Sequence, residues 1–233
     1  MELETVDDDI WLAEGRIVSF YGFAYPTRSV IVRLGDGGLW IWSPVELTPE
    51  LQHLVDGLGD VAHLVSPNKI HHLYLQDWSA AYPDARLWGP QSTIAKRGDL
   101  SFQSPLEDAS PPAWADTIDQ VWFRGSPLLD EVVFFHRSSA TAILADLSEN
   151  FDSAFLDRHW TWWQRPIARL WKITVGYGYA PLEWRLSFID RKPARDALDR
   201  MLAWDPRRVV MAHGEWQRTG GRAYLERAFA WLG

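Results

Sequence analysis

The chain has 233 residues, 47% of them apolar and 14% aromatic, which is enough for one buried core and too little for two large independent ones. Lys and Arg total 23 against 31 Asp and Glu, and the net charge of −8 disfavours contact with phosphate backbones, so nucleic acid is not an expected partner. The absence of cysteine excludes disulfides, thiolate metal sites and a cysteine nucleophile, and leaves His, Asp and Glu as the metal ligands available.

No apolar run reaches the 18 or so residues that cross a bilayer, and the acidic start from Glu2 to Asp9 lacks the basic-then-apolar pattern of a signal peptide. A cytoplasmic protein without a transmembrane segment is therefore expected.

The first third alternates as β structure over 9–12, 16–20, 29–34 and 38–43, with Gly35-Asp36-Gly37-Gly38 as a hairpin turn. Thr48-Pro49-Glu50 reads as a helix start, with Thr48 as N-cap and proline at the first helical position, and predicts a helix over 49–57. Ala62 to Ser66 is a short apolar strand, and the loop Pro67-Asn68-Lys69-Ile70-His71-His72 opens a helix through about Trp78. A strand over 86–89, a helix over 90–96 and a Ser/Pro/Asp-rich loop over 98–116 follow. Ile118–Arg124, Glu131–His136 and Thr141–Ala145 read as strands, the last ending on Asp146. Residues 151–184 are aromatic and arginine-bearing with helical spacing. Ala194, Leu198, Met201 and Leu202 share one face of a helix reaching Trp204; Arg207–Ala212 is a final strand delivering His213-Gly214, and Ala223–Leu232 is a closing helix.

Polar residues just past an apolar strand converge in the crevice beyond the strand ends of an open α/β sheet. Three stretches have this form: Leu64-Val65-Ser66 into His71-His72, Ile143-Leu144-Ala145 into Asp146, and Val209–Ala212 into His213. Imidazoles and a carboxylate form a donor set suited to zinc, iron or manganese. Each has a plainer reading alone: a first-turn histidine, an N-cap or turn carboxylate, a strand-ending turn. Adjacent residues on a regular helix diverge by about 100°, so His71 and His72 reach one ion together only from an irregular loop.

The order strand-His-His, strand-Asp, strand-His-Gly resembles the metallo-β-lactamase fold superfamily over nearly the whole chain. More narrowly, Ser66-Pro67-Asn68-Lys69-Ile70-His71-His72-Leu73, the stretch from Phe135 through Asp146-Leu147, and Val209-Val210-Met211-Ala212-His213-Gly214-Glu215 are similar to the DUF4336 family. The resemblance implies an α/β fold over 1–233 as one domain, an αββα sandwich of two mixed β-sheets between helical layers. It also implies metal-activated water attacking an ester, amide, thioester or phosphoester.

The superfamily's first motif, His-x-His-x-Asp-His, has Pro67 and Lys69 where its first two histidines belong, so one of two metal positions loses its ligands. The remaining set is His71, His72, Asp146 and His213, with His136 a further candidate. That set describes one divalent ion, zinc first and iron or manganese next, in a hydrolase of small esters, lactones or phosphoesters. Asp146 and His72 are its expected catalytic groups. Asn68, Lys69, Trp163 and Arg165 are candidate contacts to a small-molecule substrate, the last two from a Trp-rich helical insertion at about 151–184. Trp and Arg interleaved there fit a stacking surface or, less readily, a peripheral membrane contact, while the plainer reading is a helical core. The alternative for the whole chain is a catalytically degenerate, metal-free member of the fold that binds a small molecule or a protein.

Overall fold

A computed structural model describes residues 2–233. The chain opens with strands β1 (Glu4–Asp7), β2 (Ile10–Glu14), β3 (Val18–Phe20), β4 (Phe23–Tyr25), β5 (Arg28–Arg33) and β6 (Leu39–Trp42). Helix α1 (Pro49–Asp56), strand β7 (Val61–Val65), helix α2 (Leu75–Ala81), strand β8 (Arg86–Trp88) and helix α3 (Gln91–Lys96) follow. Then come strands β9 (Ile118–Phe123), β10 (Glu131–His136) and β11 (Thr141–Leu144), helices α4 (Ser153–His159), α5 (Arg165–Trp171), α6 (Leu182–Ser187) and α7 (Lys192–Ala203), strand β12 (Arg208–Met211) and helix α8 (Gly221–Ala228).

One mixed sheet has the order β1-β2-β5-β6-β7-β8 and the other β12-β11-β10-β9, while β3 and β4 form a separate hairpin. Alternation along the strands makes the layers. In β2, Ile10 and Leu12 point between the sheets and Ala13 points outward; in β5, Val30 and Val32 point in and Ile31 out; in β6, Trp40 and Trp42 point in and Ile41 out. The outward residues are covered by Leu51 and Val55 of α1 and Leu75 and Trp78 of α2. Ala194, Ala197 and Met201 of α7 and Tyr224 and Leu225 of α8 join the core on the side of the second sheet. Helices thus cover two packed sheets, in an αββα sandwich.

Local chemistry fits these elements. Thr48 accepts a hydrogen bond from Leu51 N and Pro49 opens α1. Asp152 caps α4 through Phe155 N. Two elements were not anticipated. β1 is short and half-exposed, so its sequence carries little apolar alternation. β4 hides behind Tyr21-Gly22, a two-residue turn with φ of 49° and 83° at its two positions. The helix expected to begin near His71 starts instead at Leu75, and residues 66–74 form an irregular loop.

A third cluster joins Tyr25 of the hairpin to Phe151, Leu156, Trp160, Ala168 and Ile173. Trp160 is therefore core, with its Nε1 donating to Ala24 O at 2.8 Å.

Candidate metal centre

The site lies at the C-terminal ends of β7, β11 and β12. Register explains why two of its residues meet: β11 and β12 are parallel with Leu144 opposite Met211, so two residues further on Asp146 comes opposite His213. The loops are then fastened together, Asn150 N donating to His213 O and Glu215 N to Asn150 O. Gly214, with φ of +90°, makes this close approach possible; a Cβ there would collide with the Asn150 carbonyl. Arg28, at the start of β5, donates to Met211 O at 2.7 Å and Gly214 O at 2.9 Å, tying the first sheet to the same loop.

From the first sheet, the loop after β7 delivers His71. Asn68 organises that loop and is completely buried. Its side-chain oxygen accepts from Ile70 N at 2.8 Å and His71 N at 3.3 Å, while its amide nitrogen donates to Asp146 Oδ2 at 2.7 Å and Glu131 Oε2 at 3.0 Å. Glu131 opens β10 and accepts in addition from Ala145 N at 2.7 Å and Asp146 N at 2.8 Å. Asp146 is thus oriented by a buried amide and a buried carboxyl behind it.

The result is a cluster of His71, Asp146 and His213 whose donor atoms lie within 4.8 Å of one another, the one such group among the described residues. His71 Nε2 is 3.2 Å from Asp146 Oδ2, and His213 Nε2 is 3.5 Å from Asp146 Oδ1. Tetrahedral bonds of about 2.0–2.1 Å separate ligand atoms by about 3.3–3.4 Å, so these spacings suit a single ion. The tautomers suit it too. The Pro26 carbonyl, 2.7 Å from His213 Nδ1, only accepts, so Nδ1 carries a proton and, in the neutral ring, the lone pair is on Nε2. His71 Nδ1 meets Ser43 Oγ at 2.7 Å, leaving its buried Nε2 without a hydrogen-bond partner. Ser43 holds a left-handed φ of 48° at the end of β6, local strain of the kind that collects at functional sites.

Burial by itself would raise the Asp146 carboxyl; without an ion, the positive charge of His71 and His213 in their protonated forms overcomes it and holds the group well below the ordinary carboxylate range. Burial and the neighbouring Asp146 charge push Glu131 the other way, to about 8, against the pull of its three N–H donors.

The centre opens into a cavity of about 570 Å³, walled by the β3–β4 hairpin on one side and Pro181, Glu183 and Trp184 on another. Glu149 also lines it; burial, then the charges of Asp146 and Glu183, raise this carboxyl well above its usual range, and its Oε2 is buried without a hydrogen-bond partner. Lys69 and Lys96 supply positive charge at the wall.

Several sequence expectations need correction. His72 does not join the cluster: successive residues in the loop diverge, and its carbonyl is held by Arg97 Nη1 at 3.0 Å. Burial, with Lys96 and Arg97 nearby, lowers its pKa to about 4, so it lines the cavity as a neutral ring. His136 sits at the far end of β10, five residues or about 17 Å from Glu131, bonded to Ser139 Oγ at 2.8 Å. Asn68 is not free for substrate, its amide being spent on Asp146 and Glu131. Trp163, which precedes α5, and Arg165, which opens it, do not line the cavity. Trp163 rests against Phe23, with ring centroids 6.1 Å apart, and Arg165 pairs with Asp157 at 2.9 Å. Lys69 does line it.

Nothing in the sequence singled out Glu149, Ser43 and Tyr25, which also line the cavity. For Glu131 behind Asp146, likewise not anticipated, a signal existed: a carboxylate opening the otherwise apolar run Val132-Val133-Phe134-Phe135 is a buried charge that requires partners.

Fold and site together define a protein of the metallo-β-lactamase fold. The chain matches a metallo-beta-lactamase from Pontibacter korlensis with a TM-score of 0.63 at 14% identity, covering 99% of this chain and 98% of that one. It matches the DIM-1 metallo-beta-lactamase at 0.64 and 16%, covering 99% and 95%, and a metallo beta lactamase from Erythrobacter litoralis at 0.60 and 13%, covering 99% and 91%. Within that fold the chain belongs to DUF4336, a domain of unknown function, whose family model matches residues 7–155. No curated protein matches it in sequence. At such low identities the structural likeness carries the fold alone.

Proposed function

We propose that the chain is a metal-dependent hydrolase acting on a small ester, lactone or phosphoester, with one divalent ion held by His71, Asp146 and His213. The observation that carries this reading is the convergence, from three strand ends, of two imidazoles and a carboxylate whose donor atoms lie within 4.8 Å on the wall of a cavity. A divalent ion bound there would act as a Lewis acid and bring the pKa of a water toward about 7.

The chain's own groups do the rest. Asp146 stays ionised and, held by Asn68 and Glu131, keeps a fixed orientation between the two rings. Lys69 and Lys96 orient an anionic group of the substrate. Glu149, its carboxyl raised, keeps a proton to higher pH than an ordinary glutamate and presents it at the cavity wall, where a leaving group needs one. Trp184 and the hairpin aromatics restrict water.

The test is hydrolysis of a panel of nitrophenyl esters, lactones and phosphodiesters. Turnover should vanish with a chelator, return with zinc, manganese or iron, and be absent from a folded Asp146→Ala variant. The alternative, a metal-free binding module, draws support from the close approach of Asp146 to both histidines, which can pair without an ion. It would be favoured by a protein that is inert with every metal tried.

A further inference from the structure

Residues 158–172 carry Arg158, Arg165, Arg169 and Lys172 and no carboxylate, in a chain whose net charge is −8. The structure splits the tryptophans of this stretch into two groups. Trp160 is buried in the cluster beneath the hairpin, whereas Trp162 is 82% exposed, and Leu170 on α5 is 73% exposed. Pro166, half-buried Ile167 and Leu170 lie on one side of α5, turned away from the buried Ala168, and Trp163 just before the helix is half-exposed with its ring against Phe23. The tip of the β3–β4 hairpin continues this surface: Gln164 Nε2 donates to Gly22 O at 3.0 Å, and Tyr21 beside it is 89% exposed. Tyr21 also occupies a left-handed turn position, φ 49°, that favours Asn or Gly, so an exposed aromatic ring is held there against backbone preference.

We propose that this face, built from Tyr21, Trp162, Trp163 and Leu170 with the flanking basic side chains, docks on the surface of an anionic lipid bilayer. Aromatic and leucine side chains on one face with Arg and Lys beside them make up the composition of an interfacial contact, in which rings enter the headgroup boundary while cations meet lipid phosphates. The charge argument selects an anionic surface. Arg158, Arg169 and Lys172 make no ion pair among the described residues, and Arg165 alone is matched, by Asp157. Tyr21 lines the cavity as well, so docking would set the cavity mouth beside the bilayer. The inference is independent of the metal centre.

Flotation with vesicles of phosphatidylcholine containing 30% phosphatidylglycerol, beside vesicles of phosphatidylcholine alone, tests it. The intact chain should float with the anionic vesicles, should bind at least about tenfold more weakly to the neutral ones, and should be released by raised salt. A Trp162→Ser/Leu170→Ser double variant should lose about tenfold in binding. Both positions are exposed, so its melting temperature should match the parent's. An Arg158→Gln/Arg169→Gln pair should lose binding in the same assay. No flotation with anionic vesicles, binding unaffected by either variant, or a dimer that the Trp162→Ser/Leu170→Ser variant splits would each overturn the proposal, the last assigning the face to a second copy of the chain.

Discussion

Asn68→Asp isolates the support behind the site. The replacement keeps a side-chain oxygen to accept from Ile70 and His71, so the loop retains its organising contacts. It exchanges the amide nitrogen for an acceptor facing Asp146 at 2.7 Å and Glu131 at 3.0 Å. The bond to the ionised Asp146 contributes about 1.5–3 kcal/mol and the bond to Glu131, whose carboxyl holds its proton up to about pH 8, about 0.5–1.5 kcal/mol, so losing both costs at least about 2 kcal/mol before repulsion among the buried carboxyls is counted. For a chain of this length that corresponds to a fall of about 4–8 °C in Tm.

The pH dependence carries a sign. In the folded variant the new carboxyl is buried beside two others, so its pKa rises above the unfolded value of about 3.9 and the folded state binds more protons. The deficit relative to the parent should therefore be largest above the folded pKa and shrink as pH falls from 8 toward 5. Urea denaturation of both proteins at each pH reads it out. A variant within 0.5 kcal/mol of the parent at pH 8, or an equal deficit at both pH values, would refute the assigned role of Asn68.

Gly214→Ala places a Cβ against the Asn150 carbonyl at a φ of +90°, and should cost about 3 kcal/mol or more while displacing His213; calorimetry and metal retention should fall together, and an unchanged Tm would contradict the close approach. His63 is buried, with Trp88 Nε1 donating to its Nδ1 at 3.1 Å, and its pKa is lowered to about 4 by burial and then by Arg86. Because the folded pKa lies below the unfolded one, the neutral ring contributes stability above about pH 6.5 that is lost as pH falls toward 4, at most about 3 kcal/mol. His63→Asn should flatten this part of the stability profile, and an unaltered slope would point to other groups.

Much of the fold was legible because its strands are strongly patterned. Trp40-Ile41-Trp42 and Val30-Ile31-Val32 alternate between two buried faces, and Thr48-Pro49 marks a helix start whose cap forms as expected. The site was legible where residues follow a strand directly: the register of Leu144 with Met211 fixes Asp146 opposite His213 with nothing intervening. It was not legible where a loop intervenes. Between Val65 and His71 the direction of each side chain depends on Asn68, whose partners Glu131 and Asp146 lie 63 and 78 residues away. Hence two adjacent histidines, alike in sequence, separate into one that faces Asp146 and one that does not. The Trp-rich stretch was ambiguous for a related reason: core and surface tryptophans differ by which side meets the hairpin, and β4 carries no pattern of its own beyond Phe23 and Tyr25.

The most direct test is the metal content of the protein purified without added ions, set beside His71→Ala, Asp146→Ala, His213→Ala and His72→Ala. Elemental analysis after dialysis should find about one equivalent of a transition metal in the parent, near zero in the first three variants, and a value close to the parent in His72→Ala. A parent that holds no metal and takes up none when zinc, manganese or iron is supplied would contradict the site, as would two equivalents retained per chain or a loss confined to His72→Ala.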